Sequence, residues 1–362
     1  MAKVRRRNWN NKNGSGSYWQ IDYTDSTGKR VIKGCFNRKV DAEAELARVL
    51  NSLGQGTYIN KKKDITFNEA ADRYIKYHAE MHCKPSTYNN YKGYLNNHLK
   101  DCIGKKKLND ITSLDIQKLM HEKVNQGLSN QTVNHIIKFI GAVFQKMIND
   151  ELMYKNPAAR IKKLKSNHKK FKVLTIEEAE LALKTAEEYF PDFYPMLFTA
   201  LYTGMREGEL IALTWDKINW EKREIMVDSN YSLGEITTPK TKHSIRRIDM
   251  SDKLVEVLMK WKEEYPKSSL NLVFPNQVGN YNDPNNIVKR RFYYVLDLAG
   301  VERIRFHDLR HTYASLLISQ NVSPKYVQSQ LGHGSIQITM DTYSHIMPED
   351  KIRAVKVLDG LF

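Results

Sequence analysis

Residues 17–23, SYWQIDY, and 30–36, RVIKGCF, alternate apolar and polar positions with a period of two. That is the period of a strand buried on one face, and Asp25-Ser26-Thr27-Gly28 between them has the residues of a hairpin turn. A helix is predicted over about 38–53, and the unit ends near Gly54 and Gly56, where Lys61, Lys62 and Lys63 lead onward. Thr66 and Glu69 then spell T-x-x-E, a capping box in which each residue satisfies a free backbone N–H of a new helix. The apolar positions behind it, Phe67, Ala70, Ala71, Tyr74 and Ile75, fall on one helical face. Val133, Ile136, Ile137, Ile140, Val143, Phe144, Met147 and Ile148 repeat at i, i+3, i+4, i+7, which predicts a second helix with a core-facing stripe. Asn156-Pro157 is predicted to break the last helix of this stretch, because proline pushes the residue before it out of helical geometry.

A second capping box, Thr175 with Glu178, opens a new region. Helices are predicted at about 176–187, 192–203 and 206–213, then a small antiparallel sheet from segments 224–230, 235–238 and 245–250, then further helices. No fixed-period repeat occurs. The pattern predicts a multidomain, mainly α chain: a small α+β unit over 1–60, an all-α unit over 64–160, a connector over 161–172, and a mixed α/β unit over 173–362, mostly helical with a small antiparallel sheet and a C-terminal tail.

The length of 362 residues agrees with two or three domains. The net charge of +16 is unevenly spread: +9 over residues 1–63, +4 over 64–160, +6 over IKKLKSNHKKFK at 161–172, and −3 over the remainder. A basic front, a basic connector and a near-neutral back point to a polyanion gripped by the first half, nucleic acid foremost. Solvated lysine faces with no partner are the bland alternative. The opening MAKVRRRNWNN is basic but lacks a following apolar segment, and no run of 18 apolar residues occurs, so neither secretion nor membrane insertion is expected. Cys35, Cys83 and Cys102 make no C-x-x-C pair and leave an odd count, which fits a reducing cytoplasm rather than a disulfide framework.

Four clusters in the last region carry candidate chemistry. In Thr203-Gly204-Met205-Arg206-Glu207-Gly208-Glu209-Leu210 a guanidinium stands at a helix start, suited to a phosphate, with Glu209 one turn on; a surface Arg206–Glu209 ion pair is the plain alternative. Lys240 in Pro239-Lys240-Thr241-Lys242 lies on a turn between strands, a weak signal by itself. In His307-Asp308-Leu309-Arg310-His311, His307 and Arg310 share a helical face, as do His307 and His311. The second pair has metal-ligand spacing, but Asp308 is short for a general base and Arg310 would put a cation beside the ion. Leu331-Gly332-His333-Gly334 and Asp341-Thr342-Tyr343-Ser344-His345 complete the set; alone, Tyr343 reads as an interface aromatic. Neither a phosphate-binding G-x-x-x-x-G-K-[ST] loop nor a G-x-S-x-G elbow occurs.

Taken in order, T-G-M-R-E-G-E-L, P-K-T-K, H-D-L-R-H-T, L-G-H-G and D-T-Y-S-H resemble the tyrosine recombinase (lambda-type phage integrase) family over about residues 173–350. Residues 64–160 are similar to that family's helical core-binding domain. Residues 1–60 are similar to its arm-type DNA-binding domain, a three-stranded sheet with a helix, as in integrases of temperate phages and conjugative transposons of Gram-positive bacteria. The resemblance implies Arg206, Lys240, His307, Arg310 and His333 as the catalytic pocket, Glu209 as its supporting acid and Tyr343 as the nucleophile. Lys242 competes with Lys240 on the short turn.

The chemistry so implied needs no ATP and no metal or other cofactor: a phosphotyrosyl ester conserves the bond energy that a DNA hydroxyl later recovers. A phenol of pKa about 10 needs a base or a positive field, and the resemblance gives proton transfer to His307. Arg206, Arg310 and His333 would hold the non-bridging oxygens, and Lys240 would protonate the leaving 5′ oxygen. Also implied are a Holliday junction intermediate, a homotetramer on core and arm attachment sites of double-stranded DNA, an excisionase, a host DNA-bending protein, and a place in the bacterial cytoplasm at the nucleoid. Ile352, Val355 and Leu358 in the tail form a stripe expected to dock on a neighbouring protomer or to pack on its own domain. Trp19, Tyr23, Lys29, Arg30 and Lys33 around the hairpin, and Lys162, Lys163 and Lys165 in the connector, are the candidate DNA contacts; which of the hairpin residues face DNA and which the helix is left open, with Trp19 in the core as the alternative. A DNA-binding regulator, a zinc hydrolase built on His307 and His311, and a relaxing topoisomerase are the rival readings.

Overall fold

The computed structural model describes residues 2–11, 14–25, 28–54, 64–165, 171–237, 245–264 and 268–343. The chain divides into two compact units, Met1–Asn167 and His168–Phe362.

The first unit begins with an antiparallel sheet in the order β1 (Lys3–Asn11), β2 (Gly14–Thr24), β3 (Arg30–Phe36), followed by helix α1 (Lys39–Gly54). Gly28 takes φ +79°, a conformation open to glycine, as it closes the β2–β3 turn, with its N–H on the Asp25 carbonyl. The residue pattern pointed only to β2 and β3; β1, KVRRRNWNN, is too charged to show alternation and is held by pairing over its whole length with Gly14–Asp22 of β2. Ile21 and Tyr23 on one face of β2 pack with Ala42, Leu46 and Val49 of α1.

The rest of this unit is helical. Both halves of the Thr66–Glu69 capping box are made, opening α2 (Phe67–Tyr74), which runs on through a π-helical turn at Ile75–Ala79. A further capping box, Thr112 with Asp115, opens α3 (Ser113–Asn125). Helix α4 (Asn130–Asn149) buries the predicted stripe except for Ile148, which is partly covered, and adds Phe139. Phe67 meets Phe144 edge-on at 5.5 Å in this core. Helix α4 stops at Asn149, with Glu151 at φ 58°, well before Asn156-Pro157. Asn156 instead fastens the following segment, donating to the Gly141 carbonyl and accepting from the Ala158 N–H.

In the second unit the Thr175–Glu178 box opens α5 (Ile176–Tyr189), followed by α6 (Tyr194–Thr203) and the short α7 (Glu207–Ile211). The predicted single sheet is two. Strands β4 (Ile218–Asn219), β5 (Glu224–Val227) and β8 (Arg246–Asp249) form one, and β6 (Asn230–Ser232) with β7 (Glu235–Thr237) forms a separate hairpin. The predicted 224–230 strand is interrupted at Asp228 and Ser229, where the Asp228 carboxylate accepts from Lys217 and from the Ser229 hydroxyl. The C-terminal half continues through α8 (Asp252–Glu264), α9 (Pro284–Ile287), α10 (Tyr293–Leu298), α11 (Asp308–Ser319), α12 (Pro324–Leu331) and α13 (Ile336–Tyr343). No helix among the described residues is long and apolar enough to cross a membrane.

Candidate active site

Helix α6 ends on Gly204 and helix α12 on Gly332, both left-handed, at φ 60° and 67°. A terminal glycine in this conformation turns the chain sharply and leaves the last carbonyls of its helix free to accept. Arg310, on the first turn of α11 and 3% exposed, uses them: Nη1 donates to the Gly204 carbonyl at 2.8 Å and Nη2 donates to the Leu331 carbonyl. A side chain on Gly204 would meet the Tyr313 ring at 2.6 Å, so the close approach itself requires glycine.

Arg206 caps α7. Its backbone N–H donates to Glu209 Oε2 at 2.8 Å and its Nη1 to Oε1 at 2.7 Å. The pair is no surface salt bridge: Glu209 is 3% exposed and also accepts from Arg246 at 3.1 and 2.9 Å. Arg246, also buried, donates Nε to the Gln330 carbonyl at 2.6 Å. Burial alone would raise the Glu209 carboxyl, but the hydrogen bonds and charge of Arg246, helped by Arg206, hold it down at about 2. One carboxylate thus fixes two guanidinium groups and leaves excess positive charge in the pocket. Its neighbour Glu207 goes the other way: Oε1 is buried without a hydrogen-bond partner, and burial, then Asp283, pushes it up to about 7.

Three histidines surround these cations. His307 caps the N-terminus of α11 at the solvent edge; the protein around its ring, then Arg310, His311 and Arg206, draw it below the ordinary histidine value. His333 meets the Thr339 hydroxyl at 2.9 Å and is lowered by burial, then by Arg310 and Arg206. His311 is lowered mainly by burial, and its Nδ1 lies 2.7 Å from the Tyr343 hydroxyl. Tyr343, at the end of α13, is 1% exposed; burial pushes it up to about 12, against the pull of Arg310. Arg206, Arg310, His307, His333, Tyr343 and Glu209 therefore surround one pocket. It offers fixed donors to an anion and a shielded phenol beside it.

Residues 172–350 match the phage integrase family, and residues 66–124 match the phage integrase N-terminal SAM-like domain. The chain belongs to the phage integrase family of tyrosine recombinases. As such it is a site-specific DNA recombinase. Among relatives, the ICEBs1 integrase of Bacillus subtilis is 29% identical over 96% of this chain and 98% of its own length. The transposase of transposon Tn916 from Enterococcus faecalis is 26% identical over 72% of this chain and 69% of its own. Two solved structures share the fold. The Tn1549 transposon integrase in complex with a circular intermediate DNA has a TM-score of 0.71 at 21% identity, covering 82% of this chain and all of that one. A lambda integrase tetramer bound to a Holliday junction has a TM-score of 0.61 at 23% identity, covering 91% and 95%.

Other residues singled out for this phage-integrase-family recombinase fare differently. Lys240, Lys242 and the tail with Ile352, Val355 and Leu358 lie outside the described residues. Tyr23 leaves the set of candidate DNA contacts, because it is 1% exposed in the core between the N-terminal sheet and α1. Trp19 packs against that core and Lys33 pairs with Glu45 of α1, so both belong to the helix-covered face. Lys29 and Arg30 are exposed, although Arg30 is bonded to Asp22. The open face also carries Lys3 and Arg5, set opposite Asp22 and Gln20 in the strand register; neither was singled out, because the resemblance implied a third strand but the residue pattern did not place it at Lys3–Asn11. Lys162, Lys163 and Lys165 are exposed on a segment pinned to α4 by Asn130 and Asn134. Arg246 was missed as well. Its only sequence signal is an arginine pair in a short strand, and its partner Glu209 lies 37 positions away. Among the described residues no group of three or more His, Cys, Asp or Glu could hold a metal ion, and the His311 nitrogen that a zinc reading would use faces the phenol.

Proposed function

We propose that Tyr343 attacks a DNA phosphodiester and forms a 3′-phosphotyrosyl bond, the first half of a strand exchange that integrates and excises a mobile element. The observation that carries this reading is the convergence of a buried phenol with the rigidly held Arg310 and with Arg206 in one pocket. As the Tyr343 oxygen bonds to phosphorus, the bond to the 5′ oxygen breaks, the phenolic proton passes to a neighbouring histidine, and the leaving oxygen takes a proton from Lys240. Arg310, Arg206 and His333 stabilise the charge gathering on the non-bridging oxygens, each such preorganised donor being worth about 3 kcal/mol. Attack by a 5′ hydroxyl from the partner DNA reverses these steps and frees the enzyme.

The relatives are named as integrases and transposases of mobile elements, and a lambda integrase structure holds a tetramer on a Holliday junction. By the same logic four protomers of this chain act on paired attachment sites, the N-terminal sheet reads arm sites, and the helical domain with the connector lysines grips the core site. An excisionase and a host DNA-bending protein set direction, in the bacterial cytoplasm. A cavity of about 470 Å³ lined by Leu183, Leu201, Tyr313, Leu316 and Leu317 would seat the apolar stripe of a neighbour's tail.

The test is a nicked suicide substrate incubated with the protein in EDTA, followed by peptide mapping of any adduct. An adduct on Tyr343 that disappears in Tyr343→Phe is expected. An adduct elsewhere, loss on chelation, or Tyr343→Phe retaining activity would sink the reading.

A further inference from the structure

His311 has no part in the roles assigned above, yet it is the side chain that meets the nucleophile. Its Nδ1 and the Tyr343 hydroxyl are 2.7 Å apart. Phe171 stacks on the His311 ring at 4.3 Å and 14°, and meets the Tyr343 ring edge-on at 5.6 Å. The three rings form a clamp with phenol and imidazole in fixed register. His307 stands one helical turn back, its ring perpendicular to that of His311 at 5.4 Å. Where the resemblance assigns proton transfer to His307, the hydrogen bond to the phenol comes from His311.

We propose that His311 is the general base that accepts the Tyr343 proton, with Phe171 as the positioning residue that holds its ring. This rests on Tyr343 being the nucleophile. As the Tyr343 oxygen bonds to phosphorus, the O–H bond breaks, its electron pair stays on that oxygen, and the proton moves to His311 Nδ1; the P–O5′ bond breaks toward its own acid. Reversal returns the proton from the imidazolium to the phenolic oxygen. The groups acting on His311 are Asp308, Arg305, Arg310 and His307 from its own helix and the turn before it, with Tyr343 from α13 and the uncharged Phe171. Burial keeps the imidazole neutral near pH 7 and so able to accept, while the phenol, pushed up to about 12, does not ionise unaided. Proton transfer therefore accompanies attack and does not precede it.

The experiment measures adduct formation on nicked core-site DNA against pH, with an ordinary scissile phosphate and with a 5′-bridging sulfur, which leaves as a thiolate and needs no acid. His311→Gln is expected to bind DNA like the wild type and to form the adduct about 100-fold more slowly on both substrates. Its rate should climb about tenfold per pH unit, as for an unassisted phenol. Imidazole in solution should restore His311→Ala, which a structural role would not allow. Full rescue of His311→Gln by sulfur, a rate within about threefold of the wild type, or the pH slope appearing in His307→Gln and not in His311→Gln would overturn the assignment. Should the variants not fold, the wild-type profile decides. A plateau above the lowered histidine value is expected; a rate climbing about tenfold per unit from pH ~6 to ~9 would overturn it. An adduct persisting in Tyr343→Phe would instead sink the underlying reading and is scored separately.

Discussion

In the N-terminal sheet and the helix that follows it, Arg5 and Arg30 close on Asp22 at 2.8 and 2.7 Å, Lys33 on Glu45 at 3.0 Å and Arg38 on Asp41 at 2.8 Å. In the candidate pocket of the second unit Arg310 is gripped by two main-chain carbonyls. Both regions collect cations, with opposite results. The cationic ends are the open partners, Arg30 at 58% and Arg38 at 78% of their side-chain surface. Exposed pairing is worth only about 0.2–1 kcal/mol, so a phosphate can compete for these cations even though the Asp22 carboxylate beneath Arg5 and Arg30 is itself buried. Carbonyls fix the direction of a guanidinium without cancelling its charge, so the full cation faces whatever enters the pocket. The first arrangement suits a surface that must bind and release many phosphates. The second suits one phosphate held in one geometry.

The sharpest way to break this contrast is Arg310→Lys, which keeps the charge and loses the fork. Adduct formation on the suicide substrate should fall about 10²- to 10³-fold; activity within about tenfold of wild type would mean that charge alone suffices.

Next in size is the pair of glutamates flanking Gly208. Glu209, held at about 2 when folded against about 4.5 unfolded, stabilises the fold fully above about pH 4.5 and loses that contribution as pH falls toward 2, a swing of about 3 kcal/mol. Glu207 has the opposite sign: raised to about 7, it favours the folded state below about pH 4.5 and costs stability as pH climbs through 7. Urea unfolding of Glu209→Gln and Glu207→Gln between pH 4 and 8 should show the first variant much less stable than wild type at pH 7 and the second losing less stability with rising pH. Parallel curves for all three proteins would contradict the burial-based account.

The smallest effects belong to the front of the chain. Lys162, Lys163 and Lys165 changed together to Ala should lower the salt slope of core-site binding by about 3, roughly one per phosphate contact. Asp22→Asn, which releases Arg5 and Arg30, should steepen the slope on arm-site DNA by about 1 to 2. Unchanged slopes would mean that these cations do not face DNA.

What the sequence disclosed follows from the range of the forces involved. Capping boxes at Thr66 and Thr175 and the stripe from Val133 to Met147 act within a few residues, so they were legible, as was the order of the pocket motifs. The place of β1 was not, although the resemblance implied a third strand, because it is held by its pairing with β2 and not marked by its own alternation. Tyr23 stayed among the candidate DNA contacts although it shares a strand face with buried Ile21; the two-residue period holds the correct answer. Arg246 and the contact of His311 with Tyr343 arise only when segments 37 and 32 positions apart meet, beyond any local pattern.

Arg310 has a second employment. The Gly204 and Leu331 carbonyls it occupies lie at the C-terminal ends of two separate helices, so one side chain closes both. Fraying at either terminus would loosen the guanidinium. Disorder that begins at one helix end is thereby passed to the other through a single side chain.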